Sequence, residues 1–320
     1  MSYKMIDVRE SARYVMENAD YVAIDEKALL DLAGKLLPVP LPPWDYTHHY
    51  YDGTARTVSY FLLVDALNFC FFPAPRWEVI VAGERLQGYF GLTAVLKEAF
   101  LDGRPIDDFE HLSHIGAEEV REILHGKVPI GKIPLFPERV RIMREIGAQM
   151  TARYAGNPKR LVEAAGRSAL KLVELVLEAF PSFRDEAEYK REKVAFYKRA
   201  QILAGDLYGC FKGRSYGEFH DIDRLTAFAD YKLPQILRAA EVLRYAAALA
   251  ERVDRKEWIP AGSAQEVEIR AATLVAVERL RDALVKRGRD ILSVELDWLL
   301  WHAAQNRTMP PHHRTLTTFY

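Results

Sequence analysis

Cysteine is scarce in this chain, which has two, Cys70 and Cys210, among its 320 residues. A small secreted domain held by disulfide bonds needs more cysteines, so a disulfide framework is excluded. Both cysteines have apolar neighbours in the sequence, and we expect buried, reduced thiols. Long apolar runs are also missing, because no uninterrupted stretch reaches the roughly 18 residues of a membrane-spanning helix. Since no apolar signal core follows Met1 either, we expect a cytoplasmic protein without a membrane partner.

An excess of charge of either sign is absent as well. The chain carries 44 basic and 45 acidic residues, which gives a net charge of −1. A protein that binds a long nucleic-acid backbone usually needs a basic surface, so this balance favours a small-molecule partner over a stable nucleic-acid partner. Glycine (18) and proline (16) are not enriched, which argues against a disordered or fibrous protein. Without a low-complexity linker, we expect one domain over residues 1–320.

The apolar residues recur mostly at helical spacing. Series of positions three and four residues apart predict helices within residues 140–154, 161–179, 236–247 and 274–284. Strand signals are thin, and the alternation around Trp77–Val81 predicts one short hairpin. We therefore expect a mainly α fold of about ten helices. Two long irregular stretches, 38–57 and 209–226, are candidate functional loops.

Three apparent motifs lack the context that their chemistry needs. The run Gly213–Gly217 spells G-x-S-x-G, but a nucleophile elbow follows a strand, and a helix precedes this run. The run Gly126–Lys132 spells G-x-x-x-x-G-K, but Ile133 replaces the hydroxyl residue that binds magnesium in a phosphate-binding loop. The acidic cluster within Glu218–Asp223 has ligands for a metal, although a solvated or helix-capping role is the commoner one. We expect no metal site.

Four segments combine acids, amides or cations with aromatic residues in ways that a plain core does not require. In the first, Asp65 and Asn68 share one face of an apolar helix, where a buried carboxylate must find partners or bind something. A structural polar pair is the alternative. In the second, Lys198 and Arg199 lie between aromatic and aliphatic residues. These cations either meet a phosphate or are solvated helix charges.

The third segment places Asp230, Tyr231 and Lys232 just before Pro234, which suits the first turn of a helix. The free N–H groups and the dipole of a helix N-terminus favour anions. Asp230 is therefore either a simple cap or a working carboxylate.

The fourth segment is an apolar helix with two acids and two tryptophans. Asp297 and Trp301 are four residues apart and share a face, whereas Glu295 lies on another face near Trp298. Tryptophans beside an acid suit an aromatic ring held in a pocket. The alternative is a buried helix whose acids cap it or pair with arginines.

Taken together, the four segments resemble one family. The blocks ALNFCFFP, FYKRAQILAGDLY, FADYKLPQIL and VELDWLLW extend from Asp65 almost to the C-terminus. In order and spacing they are similar to the queuosine 5′-phosphate N-glycosylases, also called queuosine salvage proteins. The resemblance implies a single multi-helical domain similar to the helix-hairpin-helix DNA glycosylases. It also implies hydrolysis of queuosine 5′-phosphate, which frees queuine for reinsertion into tRNA, with no metal and no organic cofactor.

Two carboxylates in the matching blocks are the expected catalytic residues. Cleavage of a C1′–N bond builds positive charge on the ribose, which a fixed carboxylate stabilises. We expect Asp297 near the sugar, because it lies on a rigid helix beside aromatic residues. We expect Asp230 to activate water or to bind a hydroxyl group, and the two roles can be exchanged.

The leaving base is a 7-deazaguanine if the resemblance holds. Because that base lacks N7, help for its departure must come from hydrogen bonds elsewhere on the ring. We expect Glu295 to accept from N1–H and the exocyclic amine, and Asn68 to serve the carbonyl or the amine. Phe228, with Trp298 or Trp301, is expected to stack on the base.

The 5′-phosphate is expected to meet Lys198, Tyr231 and Lys232, with His49 at the mouth of the pocket. Remote phosphate binding then helps to position C1′ for attack. Two other functions stay open. One is a glycosylase for another nucleoside or for DNA, although DNA predicts a basic face and strong salt dependence. The other is a helical protein that binds a nucleotide or tRNA without catalysing a reaction. A protein with a purely scaffolding role is a third, less favoured alternative.

Overall fold

The computed structural model describes residues 3–72, 75–126, 129–305 and 309–320. Over this part of the chain the structure is mainly helical, as expected, but it contains fourteen α-helices rather than the roughly ten predicted. The helices are α1 (Val8–Glu17), α2 (Glu26–Leu36), α3 (Ala55–Leu67), α4 (Gly88–Leu101), α5 (Phe109–His114), α6 (Ala117–His125), α7 (Phe136–Tyr154), α8 (Pro158–Ala164), α9 (Ala169–Ala179), α10 (Lys198–Cys210), α11 (Lys232–Ala239), α12 (Ala247–Asp254), α13 (Ala264–Lys286) and α14 (Ser293–Gln305).

Seven short strands form three small antiparallel sheets within the described ranges. The strands are β1 (Val22–Ile24), β2 (Glu78–Val81), β3 (Glu84–Gln87), β4 (Pro129–Ile130), β5 (Glu186–Tyr189), β6 (Glu192–Ala195) and β7 (Leu243–Tyr245). β1 pairs with β7, β2 pairs with both β3 and β4, and β5 pairs with β6. The predicted hairpin is confirmed in β2 and β3. Its turn, Ala82–Gly83, has a positive φ at both residues, which matches the right-handed twist of the two strands.

Two of the four predicted helices are broken in the structure. The series over 161–179 is divided between α8 and α9, because Arg167 takes a positive φ and the Ser168 side chain caps α9. The series over 236–247 is wrong as one helix, since α11, β7 and α12 divide it between them. Apolar residues on both sides of each break pack on the same core, so their spacing does not reveal the break. The other two series, in α7 and α13, are confirmed.

Two hydrophobic clusters form the core. The first contains residues of α3, α4, α7, α9 and α10, and the second contains residues of α1, α2, α11 and α13. α3 is apolar on all sides, and its residues from Thr57 to Leu67 are all buried, as expected of a central helix. α14 lies between the clusters, because Val294 packs in the first while Leu296 and Leu300 pack in the second. This arrangement brings α10, α11 and α14 to one cavity.

The remaining structural predictions concern irregular segments and membrane helices. Residues 38–54 contain neither helix nor strand, and the second stretch contains the end of α10 and two short 3-10 turns. None of the described helices combines the length and the apolarity needed to cross a membrane. Lys127 and Val128 of the discarded phosphate-loop pattern, and Pro73 of the first resemblance block, lie outside the described residues.

Candidate functional site

A cavity of about 590 Å³ opens where the two hydrophobic clusters meet. Its walls come from the irregular segment before α3, the end of α3, the start of α4, one face of α10, the loop before α11, and α14. Ten of the eleven predicted site residues line it: His49, Asn68, Lys198, Phe228, Asp230, Tyr231, Lys232, Asp297, Trp298 and Trp301. Residues far apart in the sequence therefore meet in one concave site, the usual form of a small-molecule site.

Glu295 is the predicted site residue that the structure does not bring to the cavity. Its carboxylate accepts a hydrogen bond from the backbone N–H of Leu292, at 2.9 Å. A glutamate three residues into a helix often reaches back in this way to a free N–H at the helix start. Glu295 therefore stabilises the beginning of α14, as the capping alternative for this segment allowed.

One face of α10 forms the floor of the site. Lys198, Ile202 and Asp206 are four residues apart and all line the cavity, as α-helical periodicity requires. The ammonium group of Lys198 donates to the main-chain oxygen of Asn68 at 3.1 Å. Burial lowers the pKa of Lys198, while the nearby Asp230 carboxylate acts against this decrease. The lysine therefore supplies a buried positive charge beside acidic groups.

Asp230 occupies the N-terminal end of α11. Its Oδ1 accepts hydrogen bonds from the backbone N–H groups of Lys232 and Leu233, at 2.7 and 3.0 Å. Burial raises the pKa of Asp230, whereas Lys198 and the two N–H donors favour its charged form. The dipole of α11 also favours a negative charge at this position. Oδ2 of Asp230 has no hydrogen-bond partner among the described residues.

Asp297, on α14, has weaker support for a negative charge. Its Oδ1 accepts one hydrogen bond, from the backbone N–H of Phe228 at 2.7 Å. Burial raises the pKa of Asp297 well above its ordinary value, and the Asp230 carboxylate adds to this increase. Two neighbouring carboxyl groups with different environments are the usual arrangement of an acid and a base. We refer to Lys198, Asp230 and Asp297 as the open cluster.

A series of aromatic rings forms a second wall, which we call the aromatic wall. The ring centroids of Trp298 and Trp44 lie 5.7 Å apart, and those of Trp44 and His49 lie 5.2 Å apart. The series continues from His49 to Tyr89 at 5.6 Å and from Tyr89 to Trp301 at 5.7 Å. The first and last of these pairs are edge-to-face and the two that involve His49 are tilted, and such contacts hold the rings in defined orientations. The wall is therefore preformed for a flat aromatic ligand.

The aromatic wall depends on Gly209 of α10. A Cβ atom at this position would lie 2.5 Å from the ring of Trp44 and 2.8 Å from the ring of Trp298. Both distances are shorter than any ordinary contact between carbon atoms. Glycine is therefore required here so that two tryptophans from different segments can approach the helix backbone.

A cationic group lies at another part of the cavity lining. Arg76 is close enough to Lys232 to contribute to the lowered pKa of that lysine, after burial, and His312 lies beside Tyr231 with the two rings tilted and their centroids 4.6 Å apart. Burial lowers the pKa of His312 to about 4, so its ring is neutral at neutral pH. Lys232 and Arg76 therefore provide the positive charge, and Tyr231 provides a hydroxyl group, for an anionic part of a ligand.

A second group of buried charges lies behind the cavity, and we call it the saturated cluster: Arg270, Asp185 and Glu266. Arg270 donates to both carboxylate oxygens of Asp185, at 2.8 and 2.5 Å, and lies 3.5 Å from Glu266. Its Nε donates to the main-chain oxygen of Ala229, and Asp185 also accepts from the backbone N–H of Lys198. This cluster therefore fixes the backbone on both sides of the open cluster.

The cavity residues that were not predicted from the sequence include Trp44, Arg76, Tyr89 and Asp206. Asp206 could have been predicted, because it lies eight residues after Lys198, on the same face of an apolar helix and within the family block FYKRAQILAGDLY. Trp44 and Arg76 belong to irregular segments, where no periodicity shows which side chains face inward.

The motifs that were rejected in the sequence analysis, the acidic cluster and the G-x-S-x-G run, have structural roles or lack the context of a catalytic motif. Asp221 of the acidic cluster accepts hydrogen bonds from Ser168 and Ala169 at the start of α9, and Glu218 pairs with Arg167. Within the described residues, no group of three His, Cys, Asp or Glu side chains has the arrangement of a metal site. Ser215 of the G-x-S-x-G run begins a 3-10 turn and is not preceded by a strand.

Comparisons with known proteins agree with one another. A family model described as queuosine salvage protein matches residues 48–320. A protein of Sphaerobacter thermophilus is 47% identical over 319 residues, which cover 98% of each chain. Proteins of Dictyostelium discoideum and Mus musculus are 40% and 36% identical over 330 and 332 residues, again covering 98% of each chain. All three carry the name queuosine 5′-phosphate N-glycosylase/hydrolase.

Proposed function

The chain belongs to the queuosine salvage protein family, and on that premise we propose that it hydrolyses the N-glycosidic bond of queuosine 5′-phosphate and releases queuine. Relatives that match along 98% of the chain are named for this activity. The observation in the structure that carries the proposal is the open cluster. It combines two carboxyl groups of different character with a buried lysine, beside a wall suited to an aromatic base.

We propose that Asp230 is the ionised carboxylate that lies against C1′ of the ribose. Its two N–H donors, the helix dipole and Lys198 all support a negative charge. As the C1′–N bond breaks, positive charge develops on the sugar, and a fixed anion stabilises that charge. This assignment exchanges the roles expected from the sequence, because Asp297 has one N–H donor and a more strongly raised pKa.

We propose that Asp297 works first as an acid and then as a base. In its protonated form it donates a proton to the ring nitrogen that loses its bond to C1′, because the departing 7-deazaguanine has no N7 to receive one. The resulting carboxylate then accepts a proton from the water molecule that attacks C1′. The products are queuine and ribose 5-phosphate, and Asp297 returns to its protonated state.

The rest of the nucleotide is assigned from the cavity lining. We propose that Phe228, Trp298 and Trp301 stack on the base and that Asn68 meets its polar edge, with His49 in the wall behind it. Glu295 takes no part, because it does not line the cavity.

For the 5′-phosphate we propose Lys232, Tyr231 and Arg76. Lys198 lies among the carboxyl groups of the open cluster and donates to Asn68, so we assign it to Asp230 rather than to the phosphate.

Three further predictions concern the whole molecule. The similarity to helix-hairpin-helix DNA glycosylases stays a prediction, as do the single domain over residues 1–320 and the cytoplasmic location. The open cluster and the aromatic wall lie between the two hydrophobic clusters, which supports treating the chain as one unit. We propose queuosine 5′-phosphate as the small-molecule partner, with no stable nucleic-acid partner.

The first experiment incubates the purified protein, without added metal, with queuosine 5′-phosphate, queuosine and guanosine 5′-phosphate. The released base is measured by chromatography coupled to mass spectrometry. Release of queuine, fastest from the phosphate ester, is the expected result. Release from none of the three contradicts the proposal. Tight binding of queuosine 5′-phosphate without release would instead favour a non-catalytic nucleotide-binding protein.

A further inference from the structure

Three hydrogen bonds connect Asp45, His49, Tyr89 and Asp206 in series, and the last of these residues belongs to α10. Nδ1 of His49 lies 2.7 Å from the main-chain oxygen of Asp45, and Nε2 of the same ring lies 2.9 Å from the Tyr89 hydroxyl. That hydroxyl lies 3.3 Å from Oδ2 of Asp206. All four residues line the cavity. The series therefore ends on a buried carboxyl group that the reaction scheme does not use.

The direction of each hydrogen bond follows from its neighbour. A main-chain oxygen can only accept, so Nδ1 of His49 carries the proton and Nε2 of the neutral ring accepts. Burial lowers the pKa of His49 to about 4, which keeps this ring neutral at neutral pH. The Tyr89 hydroxyl donates to Nε2 and has no second proton for Asp206. The contact between Tyr89 and Asp206 is then a hydrogen bond only if the carboxyl group donates.

We propose that Asp206 is a positioning residue that works as a neutral acid: it donates its proton to Tyr89, so that Tyr89 donates to His49 and the aromatic wall keeps one hydrogen-bond arrangement. This inference rests on the proposed function for its kinetic consequences. The hydrogen-bond arrangement itself follows from the geometry alone.

The surroundings of Asp206 favour its protonated form. Burial raises the pKa of Asp206 to about 7, against the opposing effects of Tyr89 and Lys198. Asp65 is fully buried on α3, and both of its carboxyl oxygens are without a partner among the described residues. Burial and then the Asp206 carboxylate raise the pKa of Asp65 well above its ordinary value, so the two groups do not both ionise. The titratable groups that interact with Asp206 come from four helices: Tyr60 and Asp65 of α3, Tyr89 of α4, Lys198 and Cys210 of α10, and Asp297 of α14.

Ionisation of Asp206 reverses one hydrogen bond. Tyr89 then donates to the anion, and Nε2 of His49 becomes a buried acceptor without a donor. The ring of His49 packs on Trp44, so the disturbance reaches the surface proposed to stack on the base. The working form is the protonated one. It is fully present at low pH, and the positioning effect is lost as the pH rises through the pKa of Asp206.

Nuclear magnetic resonance of ¹⁵N-labelled histidine tests the hydrogen-bond chain without turnover. We expect His49 to be protonated on Nδ1, with an Nε2 resonance that shifts with a midpoint near the Asp206 pKa of about 7. Asp206→Asn keeps a permanent amide donor to Tyr89, and Tyr89→Phe interrupts the series of hydrogen bonds. Both variants should therefore lose the pH-dependent shift of the Nε2 resonance near pH 7. A proton on Nε2, or a step that persists in Asp206→Asn, would overturn the proposal.

The pH dependence of kcat/KM with queuosine 5′-phosphate tests the consequence. Asp206→Asn is expected to keep at least about a third of the wild-type value at pH 6, because the amide preserves the hydrogen bond, and to lose the fall near pH 7. Asp206→Leu lacks the donor and is expected to be about tenfold slower at every pH. A fall near pH 7 that persists in Asp206→Asn, or wild-type activity in Asp206→Leu, contradicts the role. If no protein shows turnover but the pH-dependent shift of the His49 resonance is present, the proposed function is contradicted and the hydrogen-bond arrangement still stands.

Discussion

The saturated cluster and the open cluster are both buried groups of acids and cations, but they differ in how completely their hydrogen-bonding groups are used. Both carboxylate oxygens of Asp185 accept from Arg270, whose Nε is also bonded. In the open cluster, Oδ2 of Asp230 and Oδ2 of Asp297 have no partner among the described residues. Since buried polar groups are normally paired, the unused atoms that face a cavity indicate a place for a ligand.

The two clusters are linked through the backbone rather than through shared side-chain bonds. Arg270 holds the main-chain oxygen of Ala229, next to Asp230, and Asp185 holds the N–H of Lys198. The saturated cluster thus fixes where the reactive groups lie. The open cluster has unpaired acceptor atoms, which are available to hydrogen-bond the substrate. The comparison predicts that changes in the first act mainly on stability, whereas changes in the second act mainly on the reaction.

The largest expected effect comes from Arg270→Met. This change leaves Asp185 and Glu266 buried without their cation, and removal of one partner from a buried ion pair lowers the free energy of unfolding by about 3–5 kcal/mol. Urea unfolding measures the change. Arg279→Met is the matched control, because Arg279 pairs with Glu26 at the surface and should lower the free energy of unfolding by at most about 1 kcal/mol. Equal stability losses in the two variants would remove the distinction between the clusters.

Asp230→Asn is expected to act on the reaction instead. Loss of the fixed charge beside C1′ should lower kcat by about 100-fold to 1,000-fold, as removal of one electrostatic stabiliser usually does. Its free energy of unfolding should not fall, because burial disfavours the charge that the change removes.

Single-turnover rates and urea unfolding on the same preparation test both halves of this prediction. Asp25→Asn is the control, since Asp25 caps α2 at the surface and should leave kcat unchanged. If Asp230→Asn lost stability like Arg270→Met while keeping its rate, Asp230 would belong with the saturated cluster.

Lys232→Met should have a smaller effect, confined to the phosphate. A hydrogen bond to a charged group contributes about 1.5–3 kcal/mol, so kcat/KM for queuosine 5′-phosphate should fall by roughly 10-fold to 100-fold. The value for queuosine, which has no phosphate, should stay nearly constant. Lys212→Met is the matched control, because Lys212 lines the cavity beside Tyr46 and its substitution removes the same charge. Equal losses for both substrates would contradict the phosphate assignment.

The charged residues of the open cluster could be predicted as site candidates because they interrupt otherwise apolar segments. Asp230, Lys198 and Asp297 stand among buried neighbours, where a charge needs a reason. The role of Glu295 could not be separated from theirs, since capping is a local hydrogen bond that leaves the same sequence pattern. The breaks in two predicted helices were hidden for a similar reason, because backbone turns leave no trace in apolar spacing.

The sequence alone could not predict which way a side chain points relative to elements that are distant along the chain. Asp206 repeats the helix face of Lys198, but its importance depends on Asp65 of α3 and Tyr89 of α4, which only the packed structure brings near. Arg76 lies in an irregular segment, and no periodic rule predicts which way it points. Sequence reasoning therefore found polar residues within apolar segments, but not the contacts between distant elements on which the roles of Asp206 and Arg76 depend.

Trp298→Leu should have the smallest effect, on substrate affinity. Aromatic stacking contributes about 0.5–1.5 kcal/mol beyond burial, so KM should rise by roughly 2-fold to 10-fold while kcat changes little. Trp258→Leu is the control, because this tryptophan is 48% exposed and does not line the cavity. A fall in kcat as large as that of Asp230→Asn would show that the aromatic wall also orients the reacting bond. The open cluster would then have to be extended to the rings beside it, whereas a change in KM alone keeps binding and chemistry on separate residues.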